Sequence, residues 1–387
     1  MIKMKELSPK LLFQNVIPNI ERDIANSDIA GASVLVAQRG KLLLSERRGF
    51  SDVERREPLK DNSVFRLASM TKPVTAIASL IAVERGWFSL DDPITDYFPR
   101  FSELYVGRQE GEEIIPDHKP YKIPKVYNFL THTSGFMASG ALGDLYDSRM
   151  PYTSLLSNRE AVDYCMNNHC LTLEPISKVS YCAYQAFDVV ALLIEKFSGM
   201  SYADFLSKEI FGPLGMKDTT YRPTEDIWKR TVTMSNKVEG RIVNVDMGRH
   251  TFEQFPLTYT SAGAGLVGTV CDYYTFARML LGRGTLDGVQ ILKRETFELM
   301  PKAYVPKSVM GEDAITSWGL GVQVYLNDGN RPAGTYGWSG AYGTHFWVDP
   351  TNEIIAIYMK NSRWHDSHGA GNTGRQFERD VYSSFMG

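Results

Sequence analysis

Two periodicities alternate along this chain and divide it into a beginning, a middle and an end. Residues 31–48 carry the alternation and β-branched content of two strands, and Arg39-Gly40 between them reads as a tight hairpin turn. The end of the chain has the same character. Trp318 to Tyr325, Thr344 to Val348 and Ile354 to Met359 read as strands. The last two are separated by Asp349-Pro350-Thr351-Asn352, strong turn chemistry, and a helical pattern follows that ends near Phe385.

The middle is helical. Val74, Ile77 and Ile81 recur at helix spacing, with Leu80 widening the stripe; Val189, Leu192, Leu193 and Phe197 repeat the pattern before a stop at Gly199. Phe276, Leu280 and Leu281 form a third stripe, ended by Gly282. Ser102 to Pro124 is polar, holds Gly107 and Gly111, and predicts a long surface loop of the kind that rims a site. Strands at both ends with helices between predict an antiparallel sheet completed by the N- and C-terminal segments, with a helical domain inserted in it. The expected division is 1–80 with 260–387 as the sheet domain and 81–259 as the mainly helical one, the active site lying at their junction.

Composition changes this picture little. Of the 387 residues 43% are hydrophobic and 22% charged, with a net charge of -3, so nothing points to nucleic acid or to an anionic membrane surface. The N-terminus lacks an apolar stretch of signal-peptide length, since Lys10, Asn15, Pro18 and Asn19 interrupt it, and no apolar run approaches a membrane span. A cytoplasmic location is the expectation. Cys165, Cys170, Cys182 and Cys271 are too few for a disulfide framework and lack paired metal spacing. They read as reduced thiols, with Cys182 as a second possibility for the site wall. The seven histidines show no metal motif and there is no glycine-rich phosphate loop, so no metal or cofactor is expected.

The chemistry lies in Phe65-Arg66-Leu67-Ala68-Ser69-Met70-Thr71-Lys72-Pro73. Ser69 and Lys72 are three apart, which at a helix start puts both side chains on one face, and Pro73 marks the first helical turn, where its missing N–H costs nothing. Orphan N–H groups and the positive end of the helix dipole favour negative charge developing on an oxygen there. A serine hydroxyl is a weak nucleophile that needs a base within reach, and a desolvated lysine near a helix N-terminus can serve as one. The spacing alone is common: roughly one or two such pairs arise by chance in a chain this long.

Further segments remove that ambiguity. The nucleophile run, Leu130-Thr131-His132-Thr133-Ser134-Gly135, Phe211-Gly212-Pro213-Leu214-Gly215-Met216-Lys217-Asp218-Thr219, and Gly263-Ala264-Gly265-Leu266-Val267-Gly268-Thr269 with Asp272-Tyr273 occur in order. Together they resemble the class C β-lactamase and family VIII carboxylesterase group of the penicillin-binding-protein-like serine hydrolases, from about residue 12 to the C-terminus. The resemblance implies an α/β fold of the α+β type, a β-lactamase/penicillin-binding-protein-like antiparallel sheet flanked by N- and C-terminal helices. It implies a catalytic tyrosine at Tyr181, seven residues before Asp188, with Tyr184 competing for the role. It also implies an oxyanion hole from the N–H groups of Ser69 and Ala341, and a substrate-binding strand Trp338-Ser339-Gly340 continued by Tyr342.

Two positions depart from the lactamase pattern. Ala183 stands where an amide-binding asparagine is usual, and Trp338 where a lysine attracts a substrate carboxylate. Tryptophan there is similar to family VIII esterases. The expected function is therefore a serine hydrolase cleaving short to medium acyl esters through an acyl-Ser69 intermediate. The alternatives are a β-lactamase, D-amino-acid peptidase or acyl transferase with the same machinery, and a silent penicillin-binding homologue, against which the joint presence of Ser69, Lys72 and Tyr181 argues. The partner is a small-molecule ester or amide, and oligomeric state stays open. His132 reads as structural. His345 faces either side of its strand with equal weight, and Arg363 or Arg375 would be the candidate to anchor a carboxylate.

Overall fold

The computed structural model describes residues 5–151, 157–245, 259–326, 331–362 and 373–386. Its centre is an eight-stranded antiparallel sheet. The strands are β1 (Gly31–Gln38), β2 (Lys41–Asp52), β3 (Glu57–Pro58), β4 (Thr316–Trp318), β5 (Gln323–Tyr325), β6 (Tyr336–Ser339), β7 (His345–Asp349) and β8 (Ile354–Met359). The order is β4-β5-β6-β7-β8-β1-β2-β3, so the beginning and the end of the chain meet where β8 pairs with β1. Arg39 and Gly40 both take positive φ, 51° and 72°, as a two-residue turn with the twist of a hairpin requires.

Both faces of the sheet are covered, which is why β1 and β8 are buried along their whole length and read as continuous apolar runs. On one face, α1 (Pro9–Ala25) and the C-terminal α5 (Thr373–Tyr382) lay Leu12, Val16, Ile20, Phe377 and Val381 against Val34, Val36, Trp347, Ala356 and Tyr358. On the other, α4 (Val270–Leu281) packs Phe276 and Leu280 towards Leu35, Ile355 and Ile357. The same core continues into α2 (Thr71–Glu84) and α3 (Gln185–Ser198). The apolar stripe read on α2 is a wider feature than a stripe, since every residue from Thr71 to Ala82 is buried. A helix enclosed on every side is largely apolar, and its buried polar side chains, among them Lys72, Thr75 and Ser79, are hydrogen-bonded.

Two expectations need correcting. Ser102 to Pro124 is not a plain loop: Val106–Glu110 and Glu113–His118 pair as a hairpin turning at Gly111. Its exposed strands carry polar residues on both faces, which hid the alternation. Trp318 to Tyr325 is two strands, β4 and β5, separated by a turn through Gly319 and Gly321. Among the described residues no helix is long and apolar enough to cross a membrane.

Candidate active site

The nucleophile segment folds as a short strand, a strained turn and a helix. Val64–Arg66 pairs with Val267–Thr269, and Leu67 N–H continues the ladder to Leu266 O at 2.9 Å. The chain then enters a single 3-10 turn, Ala68–Met70, that leads straight into α2. Ala68 sits at φ 47°, a left-handed conformation that an L-residue adopts only when its surroundings enforce it. The surroundings are visible: Tyr273 Oη donates to Met70 O at 2.9 Å, and Thr344 Oγ1 donates to Leu67 O at 2.8 Å. Ser69 is thereby fixed at the start of the helix, mostly buried, where backbone N–H groups lack intrahelical acceptors.

Lys72 is completely enclosed, and its Nζ lies 3.1 Å from Ser69 Oγ. Two main-chain carbonyls hold it there, Ala183 O at 2.7 Å and Gly263 O at 2.9 Å. The rings of Tyr181 and Phe187 cover it, their centroids 4.7 and 5.1 Å from Nζ. Gly263 O is itself positioned through Asp188 on α3. That buried carboxylate accepts from Ala262 N–H at 2.7 Å and from the Tyr259 hydroxyl, and burial pushes it up to about 7.

Tyr181 brings its hydroxyl to 2.6 Å from Ser69 Oγ, so two titratable groups converge on one oxygen. The loop carrying it is held by the Leu130-to-Gly135 turn. His132 takes φ 58°, accepts Cys182 N–H on Nδ1 at 3.1 Å, accepts Ser180 N–H on its carbonyl, and lies against the Tyr181 ring at 4.4 Å. Burial, and then the nearby Lys72, push the His132 imidazole well below its ordinary range, which keeps Nδ1 an acceptor. Trp318 and Trp338, 4.5 Å apart in edge contact, complete an aromatic wall, and Trp338 Nε1–H donates to Tyr181 Oη at 3.3 Å.

The end of β6 closes against the nucleophile turn. A Cβ on Gly340 would stand 2.3 Å from Leu67 O and 2.1 Å from Thr344 Oγ1, so only glycine fits. The turn that follows is closed by Gly340 N–H to Thr344 O and Gly343 N–H to Gly340 O. It carries Ala341, which is exposed, and Tyr342, which is half-buried and accepts Ser362 N–H on its carbonyl.

The structure thus gathers Ser69, Lys72, Tyr181 and the Trp338-Ser339-Gly340 strand at one place. Tyr184, the competing tyrosine, instead occupies the N-cap position of α3, and the hydroxyl that reaches Ser69 is that of Tyr181. All four cysteines are free. Cys182 is buried beside α3, where its sulfur accepts Ala186 N–H at 3.3 Å and burial pushes the thiol up to about 11, away from thiolate chemistry. Arg375 is exposed on α5, and Arg363 lies outside the described residues. Sequence reasoning missed the two carbonyls on Lys72, because main-chain roles leave no side-chain signature. It also passed over Trp318, read only as part of a strand.

Comparison with known proteins bears on the family and the fold. The family model described as Beta-lactamase matches residues 16–378. Protein Rv1367c of Mycobacterium tuberculosis is 30% identical over 353 residues, covering 86% of this chain and 85% of that protein. Esterase EstB of Burkholderia gladioli is 28% identical over 372 residues, covering 88% of each. Among solved structures, EstCE1, a hydrolase with promiscuous acyltransferase activity, superposes with a TM-score of 0.81 at 22% identity, covering 97% of this chain and 99% of that one. Simvastatin synthase (LovD) from Aspergillus terreus gives 0.79 at 21% identity, covering 98% and 99%. At such identities the two structures speak for the fold, which is β-lactamase/penicillin-binding-protein-like. With a family model spanning nearly the whole chain and these relatives alongside it, the chain belongs to the Beta-lactamase family and is a serine hydrolase of that superfamily.

Proposed function

We propose that this protein is a carboxylesterase acting on short to medium acyl esters through an acyl-Ser69 intermediate. The observation that carries the reading is the convergence of Lys72 Nζ and Tyr181 Oη on Ser69 Oγ, at 3.1 and 2.6 Å. Two bonds from Lys72 Nζ to Ala183 O and Gly263 O aim the amine at Ser69 Oγ, where it serves as the base for the serine proton. Ser69 Oγ attacks the ester carbonyl carbon while that proton passes to Lys72. The N–H groups of Ser69 and Ala341 receive the oxyanion. Collapse breaks the bond to the alcohol, which leaves with a proton relayed through Tyr181, and water then releases the acid by the reverse sequence. The position of Trp338 supports an ester over a carboxylated lactam: it sets a neutral indole N–H on Tyr181 Oη where an ammonium would attract an anion. The Burkholderia relative bears the name esterase.

The test is a pair of rate constants. Losing a charge-assisted bond to a carboxylate costs on the order of 1.5–3 kcal/mol, roughly tenfold to a hundredfold. Hence kcat/KM for a short-chain 4-nitrophenyl ester should exceed that for nitrocefin by at least about tenfold. Equal or reversed values would replace the esterase reading by the lactamase one. Ser69→Ala should abolish both turnover and fluorophosphonate labelling without unfolding the protein, and labelling that persisted would expose another nucleophile.

A further inference from the structure

Helix α2 carries a residue that packing alone does not explain. Thr75 follows Lys72 by three positions and shares a face with it. It is completely buried, where a valine of the same shape would pack without a polar atom to satisfy. A threonine hydroxyl inside a helix ordinarily turns back to the carbonyl four residues before it. Here that contact, to Thr71 O, is long at 3.4 Å, and the hydroxyl reaches out of the helix to Ala262 O at 2.6 Å.

Ala262 O and Gly263 O are consecutive carbonyls, and α2 holds both, the first by Thr75 and the second by Lys72 Nζ at 2.9 Å. Donor chemistry fixes the direction of these bonds. A carbonyl only accepts, so the single hydroxyl hydrogen of Thr75 points to Ala262 O, and Tyr202 Oη donates to the Thr75 oxygen at 2.7 Å. Burial pushes the Tyr202 hydroxyl far above its ordinary range, so it keeps that hydrogen. The preceding peptide is held on both sides, Ser261 O by Tyr221 Oη at 2.9 Å and Ala262 N–H by Asp188 at 2.7 Å. Ser261 O also accepts Gly265 N–H at 2.9 Å and closes the turn. Towards the catalytic loop there is no room to spare: a Cβ on Gly263 would stand 2.4 Å from Ala183 O, the other carbonyl on Lys72. A shift of Gly263 therefore disturbs both acceptors of the amine at once.

We propose that Thr75 is a positioning residue for the reaction at Ser69. By taking Ala262 O it docks turn 261–265 onto the nucleophile helix, so that Gly263 O keeps Lys72 Nζ beside Ser69 Oγ. Two bonds from one helix face to neighbouring carbonyls fix where the turn sits. Lys72 alone, on its flexible four-carbon stem, would follow the turn wherever it settled. Thr75 acts through the turn and not on the substrate. Its role rests on Ser69 and Lys72 acting as nucleophile and base, and the measurements below tell a failure of that reading from a failure of this one.

Thr75→Val keeps the shape and removes the hydroxyl, whereas Thr75→Ser keeps the hydroxyl. Each is followed by the rate of fluorophosphonate labelling and by hydrolysis of a 4-nitrophenyl ester. Thr75→Val should take the label to the same final stoichiometry as the wild type but at least about tenfold more slowly, and kcat should fall by the same order while KM stays within about threefold, because a small misplacement of a catalytic group is costly in rate and not in ground-state binding. Thr75→Ser should recover most of both rates. Thr75→Cys, with a weak donor in the same place, should react more slowly than Thr75→Ser. A Thr75→Val protein that melts lower but reacts at the wild-type rate overturns the proposal. So does a loss that Thr75→Ser shares, which would assign the effect to the methyl group, and so do equal rates in Thr75→Ser and Thr75→Cys. A wild type that neither takes the label nor cleaves the ester overturns instead the assignment of Ser69, and the role of Thr75 falls with it.

Discussion

The amine of Lys72 stays beside Ser69 because carbonyls from two separate segments, at Ala183 and Gly263, grip it. Tyr181 approaches the same oxygen from the opposite chain segment, so the two side chains handle one proton between them. Lys72→Ala and Tyr181→Phe should each lower kcat by orders of magnitude, and the double variant by little more, because groups that act as a unit are strongly non-additive. Steady-state kinetics of the three proteins decide it; multiplicative losses would mean independent roles, and a larger loss in Tyr184→Phe would move the tyrosine's role. The residue before the serine offers a different test. Ala68 holds a left-handed φ of 47°, which costs an L-residue about 1–2 kcal/mol that glycine does not incur. Glycine gains a comparable freedom in the unfolded chain. Ala68→Gly should therefore leave stability within about 0.5 kcal/mol of wild type, while Ala78→Gly, inside the enclosed helix α2, should cost at least about 1 kcal/mol in urea unfolding.

Between residues and the whole lie the contacts that hold one element against another. The β6 end meets the nucleophile turn with room for a hydrogen at Gly340 and nothing larger, so Gly340→Ala should cost about 1–3 kcal/mol and lower kcat at least about tenfold by moving Ala341. Asp188 joins α3 to the segment that carries Gly263 O, and its folded value of about 7 exceeds its ordinary 3.8. Between those values the folded protein keeps a proton that the unfolded chain has lost. Stability should therefore decline as pH rises from about 4 to about 7 and be flat in this respect outside that window. Asp188→Asn should flatten that slope in thermal melts across the window. What was legible in the sequence follows the same contacts. Ser69 and Lys72 were legible because their three-residue spacing at a helix start sits among several runs that resemble one family, Tyr181 through that resemblance alone, and the Arg39-Gly40 hairpin because its turn demands special residues. The partners of His345 were hidden, since strand alternation leaves it two-sided: Ser339 Oγ meets its Nδ1, and Glu378, which meets its Nε2, comes from a helix 33 positions later. The hairpin at 106–118 was hidden too, because strands with little buried surface need not alternate.

At the scale of the molecule, the two ends of the chain do the closing. Ser8 N–H reaches Ser384 O at 3.0 Å, and α1 and α5 lie together over one face of the sheet, away from Ser69. Leu12→Ala on that face should cost about 2–5 kcal/mol in denaturant unfolding, while the folded fraction keeps its kcat. A matching fall in kcat would mean that this face is coupled to the site. The pairing of β1 with β8 has a further consequence for how the molecule is made. On the ribosome, the nascent chain acquires Ser69 early, yet β6, which flanks the serine, and β8, which covers the inner edge of β1, are synthesised near the end. Through most of translation β1 therefore waits with an apolar strand edge open, a surface for a chaperone to shield or for a neighbouring chain to capture. The strand that flanks Ser69 follows it by more than 250 residues in the chain, so the site can be assembled only after that long stretch has been made.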